Sequence, residues 1–217
     1  MNHLAHLFLA RESDELMVGG FIADAVKGKK YFDYDEGISK GILLHRFIDN
    51  FTDTHAEVSE LKKLLRPQFG LLSGIVIDMI YDYELAKHWN DFNVESLESF
   101  SHRAYLIFEK YFSVMPERNQ VMLQYMRKEN WLLNYAQIEG MRKSFTGMSK
   151  RIRKGELLLQ APQFILDNEI VLKESFFRFF PEMIAACEKE KASSALWASS
   201  VLRFRTSSPK EKEPRNF

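Results

Sequence analysis

Apolar side chains recur along most of this chain at intervals of three and four residues, the spacing that lines one face of an α-helix. Asp14 is placed to cap a helix running through Val26, with Gly28 as its stop. A second helix is expected from about Glu36 to Thr52. Thr54 and Glu57 have the spacing of a capping box, opening a helix that carries Val58, Leu61, Leu64 and Leu65 and ends before Pro67. A fourth runs from near Leu71 to Trp89. Between Asn93 and Pro116, Leu97, Phe100, Tyr105, Phe108 and Phe112 return at helical intervals.

Further helices are predicted over about 117–128 and 137–153, and from Asn168 to Lys189, where Pro181 should bend or divide the helix by removing a backbone donor. Residues 192–204 repeat the pattern less regularly. Alternating β-branched runs are almost absent, so the expected fold is all-α, an irregular multi-helix single domain over residues 1–204. The run Ser207 to Phe217 mixes prolines with Lys and Glu and has little to bury, which makes residues 205–217 a disordered tail in this reading.

Composition narrows the classes of function. A chain of 217 residues, 46% hydrophobic, is long enough for one substantial core. Thirty basic residues balance thirty acidic ones, so overall charge offers no argument for nucleic acid or a membrane surface. The apolar start, Leu4 to Ala10, is short, lacks a basic leader and contains His6. No window approaches the roughly 20 apolar residues of a membrane-spanning helix. The lone Cys187 suits a reducing compartment and reads as a buried structural thiol. A soluble, cytoplasmic protein is expected.

Carboxylates then appear where leucines would be expected. Leu71, Ile75, Asp78, Asp82, Leu85 and Trp89 share one helical face. Carboxylates on an apolar stripe cost several kcal/mol unless a cation or a hydrogen-bond network answers them. His45, Asp49 and Asp53 follow at four-residue steps on the preceding helix but one, and Asp53 is equally placed to cap the helix beginning near Thr54. Asp24 lies on a stripe with Met17, Gly20 and Phe21, and Asn2, His3 and His6 crowd the first turns. His3, His55, His88 and His102 read as surface or hydrogen-bonded histidines.

His45, Asp49, Asp78 and Asp82 are therefore the candidate metal ligands. Asp24, His6 and Asp53 are candidates for acid–base work, with His6 and Asp24 also next in line as ligands and His6, if not a ligand, as general acid to the leaving oxygen. Imidazole and carboxylate donors without thiolates suit Mn²⁺ first, with Mg²⁺, Fe or Zn fitting the same donors. Such a centre promotes attack of hydroxide on a phosphate ester. Arg142, Lys143, Lys150, Arg151, Arg153 and Lys154 form a cationic stretch without an acidic residue, and Lys27, Lys29, Lys30 and Arg46 lie close to the candidate ligands in sequence.

The motifs Met1-Asn2 with Leu4-Ala5-His6-Leu7, Gly19 to Gly28 around Asp24, His45-Arg46 with Ile48-Asp49, Thr52-Asp53, Asp78 with Asp82, Trp131-Leu132 with Tyr135, Gly147-Met148 with Arg151, and Phe180-Pro181 before Met183 resemble the acyl carrier protein phosphodiesterase family over about residues 1–185. The resemblance implies an HD-domain-like helical fold and release of 4′-phosphopantetheine from holo acyl carrier protein, with Mn²⁺ as the usual cofactor. It also implies that the cationic stretch and Lys27 with Arg46 meet an acidic carrier protein or its phosphate. Two departures stand out: the chain has no His-Asp dipeptide, and Tyr83 follows Asp82 where the family carries His. The rival readings are an HD-like phosphohydrolase for a nucleotide or small phosphate ester, and a non-catalytic helical protein that binds a carrier protein.

Overall fold

A computed structural model of the chain describes residues 1–205, with side chains as far as residue 193. Among the described residues there is no strand. The α-helices are α1 (His3–Leu9), α2 (Asp14–Ile22), α3 (Glu36–Thr54), α4 (Ala56–Phe69), α5 (Ser73–Lys87), α6 (Leu97–Lys110), α7 (Glu117–Lys128), α8 (Trp131–Asn134), α9 (Ile138–Ser149), α10 (Ala161–Asp167) and α11 (Glu169–Arg205). The expected all-α architecture is the observed one. The predicted tail lies, apart from Arg205, outside the described residues.

One contiguous buried cluster runs from Met1 to Cys187. Its centre is aromatic: Phe176, Phe179 and Phe180 of α11 pack on Tyr81, Phe92 and Phe8, which ties the last long helix to α5 and to the chain start. Cys187 is buried there, its thiol 3.7 Å from Met183 Sδ, and burial pushes its pKa up to about 12.

Several helix ends differ from expectation for local reasons. Ser13, not Asp14, caps α2, because Ser13 is extended and its Oγ accepts the Leu16 N–H. The helix then tightens into a 3-10 turn over Ala23–Ala25 instead of reaching Val26. Thr54 closes α3, its hydroxyl donating to the Asn50 carbonyl, and His55 caps α4 through Nδ1 instead. Pro67 does not stop α4, since a proline in the last turn forfeits only one bond, to the Lys63 carbonyl; the stop is Gly70 at φ +55°. Pro181 likewise lies inside a continuous α11, which also absorbs residues 192–204. The short α8 and α10, and the 3-10 turn Gly155–Gln160, have no counterpart in the periodicity.

The stretch Ala56–Lys87 does have the length and apolar content of a membrane-crossing helix, contrary to expectation. It is two helices that change direction around Gly70–Leu72, and Asp82 and Glu84 on its second half are fully buried in the fold. The packing identifies it as core.

Candidate metal centre

The site begins with two glycines. A Cβ on Gly19 would overlap the Ile38 carbonyl oxygen, and one on Gly41 would overlap the Leu16 carbonyl oxygen, so α2 and α3 touch backbone to backbone. That closeness lets His45 Nδ1, on α3, donate to the Gly20 carbonyl on α2 at 2.9 Å. A carbonyl only accepts, so Nδ1 carries the hydrogen and Nε2 is left to face the site.

Around Nε2 the acids gather. Asp49, one turn further along α3, places Oδ2 3.1 Å away, and Asp24, from the 3-10 turn after α2, places Oδ1 at 3.6 Å. His6, on α1, stacks its ring on His45 with centroids 3.9 Å apart and brings Nε2 to 3.2 Å from Asp49 Oδ1. Donor atoms of His6, His45 and Asp49 lie within 4.8 Å of one another. Asp78 closes one side, its Oδ1 lying 2.9 Å from the Met1 amino nitrogen, which is also 3.9 Å from Asp49 Oδ1.

The electrostatics fit a site that wants positive charge. Burial alone would lower the His45 pKa, but hydrogen bonds and charge from Asp24 and Asp49 lift it to about 9. Its hydrogen bond to His45 holds Asp24 down at about 2. Burial raises Asp49, yet His45 and His6 together hold it well below the usual carboxylate range. Burial, and then the neighbouring His45, depress His6 to about 3, so its ring is neutral. A proton on His45 thus plays the part that a divalent cation would take over, releasing that proton on binding. The donor set fits such an ion: two imidazoles, several carboxylate oxygens, and a buried His6 Nδ1 that has no partner of its own.

Other predicted residues fall elsewhere. Both Asp82 oxygens are taken: Oδ2 accepts the Leu4 N–H at 2.7 Å and Oδ1 the Ala5 N–H at 3.2 Å. Asp82 therefore caps α1 from a distant helix, while Asn2, at the usual capping position, gives no such bond and donates to Tyr135 Oη and Met79 Sδ. Asp53 is one turn beyond Asp49 but exposed, paired with Lys62 at 2.9 Å. Arg46 spends its guanidinium on the Gly28 and Val26 carbonyls, and Lys27 is exposed beside it. Arg142 pairs with Glu139, and Arg151 donates to the Gly147 carbonyl; Lys143, Lys150 and Arg153 are exposed on the same segment.

His3, read from the sequence as a surface or hydrogen-bonded histidine, lies within reach of the cluster's charges. It feels the charges of Asp24 and His45, and burial holds its pKa down to about 4. Its position one turn before His6 was the available signal. Tyr83 turns away, its ring meeting the Lys87 ammonium, which in turn pairs with Glu169 of α11.

The model of the acyl carrier protein phosphodiesterase family matches residues 1–183. The chain belongs to that family. Among its relatives, the acyl carrier protein phosphodiesterase of Klebsiella pneumoniae subsp. pneumoniae is 32% identical over 192 residues, 88% of this chain and 100% of the relative. Those of Photorhabdus laumondii and Yersinia pestis are each 30% identical, with 88% of this chain covered and 96% and 100% of the relatives. No solved structure matches the chain. The span shared with the acyl carrier protein phosphodiesterases contains the whole cluster and the cationic stretch of α9 and the loop after it.

Proposed function

We propose that this chain hydrolyses the phosphodiester joining 4′-phosphopantetheine to a serine of holo acyl carrier protein, using a divalent cation, Mn²⁺ first. The observation that carries this reading is His45 Nε2 set among Asp49, Asp24 and His6 with its Nδ1 locked to Gly20. His6, His45 and Asp49 would hold the ion, with Asp24 and Asp78 alongside. Bound there, a divalent cation supplies positive charge for the phosphoryl oxygens and makes water a stronger nucleophile at neutral pH.

The protein's own groups do the rest. Water adds to phosphorus as the bond from phosphorus to the serine oxygen breaks; one water proton is given up, and the serine oxygen takes a proton from solvent as apo carrier protein departs. Asp24, the most exposed of the acids and held ionised, is placed to accept the proton of the attacking water. His6, neutral and packed against His45 with its Nε2 on Asp49, is a ligand in this arrangement and not the general acid. Lys143, Lys150, Arg151 and Arg153 offer an acidic carrier protein a docking face, which acts on encounter and register. The cytoplasm, where a reducing environment suits the lone thiol of Cys187, is the compartment this reading assigns.

Mass spectrometry of holo acyl carrier protein incubated with the protein and Mn²⁺, beside a chelated control, tests the reading. Metal-dependent loss of one phosphopantetheine mass is expected. Full retention of that mass by the carrier protein, with Mn²⁺ bound to this chain, would reject it. For docking, Arg151→Ala with Arg153→Ala should raise KM and flatten its salt dependence at unchanged kcat.

A further inference from the structure

Bonds from α3 hold the last turns of α2 and the segment after it, on both sides of Asp24. On one side His45 donates to the Gly20 carbonyl at 2.9 Å. On the other, Arg46, the next residue, donates from Nη2 to the Val26 carbonyl and from Nη1 to the Gly28 carbonyl, both at 2.8 Å, with its guanidinium 5.3 Å from the Tyr31 ring centroid. Ser39, also on α3, donates to the Tyr31 and Tyr34 carbonyls. Four carbonyls of one short segment thus face α3. Gly28 takes φ +57°, which turns the chain at the point where Arg46 grips it.

What this segment presents outward is three cations. Lys27, Lys29 and Lys30 are exposed, no acidic residue lies between Ala25 and Phe32, and among the described residues none of the three has an ion-pair partner. They follow Asp24 within six residues, and the Asp24 side chain, 3.6 Å from His45 Nε2, is itself 71% exposed. Unpaired ammonium groups on a fixed backbone beside a phosphoester site are arranged to meet the anion that enters it.

We infer that Lys27, Lys29 and Lys30 form the rim that binds the phosphate group of the substrate, and that Arg46 is its positioning residue, holding the rim in place without touching the anion. This rests on the phosphodiesterase reading for the identity of the substrate, but not for the presence of an anion site. Arg46, grouped with these lysines in the sequence, has one N–H on each Nη committed to the two carbonyls, which aims its fork at the rim backbone. An ammonium in its place cannot reach two carbonyls with a planar fork, so lysine should not substitute for it.

The test is binding of inorganic phosphate to the Mn²⁺-loaded protein, by calorimetry, alongside steady-state turnover of holo carrier protein. Replacing Lys27, Lys29 and Lys30 together by alanine should weaken phosphate binding about tenfold and raise KM with kcat nearly kept. Arg46→Ala and Arg46→Lys should each give a similar loss, and Arg46→Ala combined with the triple replacement should add nothing further. Unchanged phosphate binding in the triple variant, which alters exposed side chains only, would overturn the rim. A combined loss equal to the product of the separate ones would overturn the positioning role and make Arg46 a direct contact. Failure of the wild type to release phosphopantetheine would bear on the reaction alone, because phosphate binding reads the rim without it.

Discussion

Asp82 and Glu84 lie two residues apart on α5, on opposite sides of the same helix, and neither is exposed. Burial raises both, each to about 7. There the likeness ends. Asp82 accepts two backbone N–H groups and so fixes the first turn of α1, the helix that delivers His6 to the cluster. Neither oxygen of Glu84 has a hydrogen-bond partner; His88 Nε2, itself unpartnered, stands 3.6 Å from Oε2. Equal burial therefore carries opposite consequences: one carboxylate organises the site from behind, and the other is a cost borne by the fold.

The largest effect should come from Asp82→Ala. Two buried N–H groups of α1 would be orphaned, at about 1–3 kcal/mol each, and urea unfolding should show a loss of that order. Because α1 carries His6, Mn²⁺ affinity should fall as well. A variant as stable as wild type would erase the contrast with Glu84.

Next comes Glu84→Gln, which keeps the shape and removes the ionisation. The folded protein holds a proton on Glu84 up to about pH 7, whereas the unfolded chain releases it near pH ~4. Stability must then decline as pH rises between those limits and level off above them. Glu84→Gln should flatten part of that decline and gain about 1 kcal/mol at pH 8, measured by denaturation at several pH values. A steeper decline would mean that Glu84 is ionised and answered by a partner.

Smallest is Asp53→Ala, an exposed carboxylate in a surface pair with Lys62. Stability should change by less than about 0.5 kcal/mol and Mn²⁺ binding not at all. Lost metal binding would return Asp53 to the cluster.

These three acids also show what was legible beforehand. His45 and Asp49 could be paired from sequence because one helix supplies both at four-residue spacing, and the structure puts them 3.1 Å apart. Asp78 and Asp82 were read alike, since a carboxylate on an apolar stripe announces only that something answers it. For Asp82 the answer is the backbone of a helix nearly eighty residues earlier, and no periodicity reports that. The helices were visible in their apolar spacing, but their ends turn on single bonds such as His55 Nδ1 to the Glu57 N–H. Both His6 and Asp24 reach His45 only through tertiary packing, Asp24 by the α2–α3 contact at Gly19 and Gly41 and His6 by the hold of Asp82 on α1.

Cys187 gives the molecule a built-in clock. It is the sole cysteine, 1% exposed, with its thiol pushed up to about 12. The thiolate is the form that reacts, so alkylation in the native state is suppressed twice, by access and by ionisation. Labelling must then proceed through openings of the α11 packing, and its rate measures how often they occur. Any variant above can be timed by the same native atom, with no probe introduced.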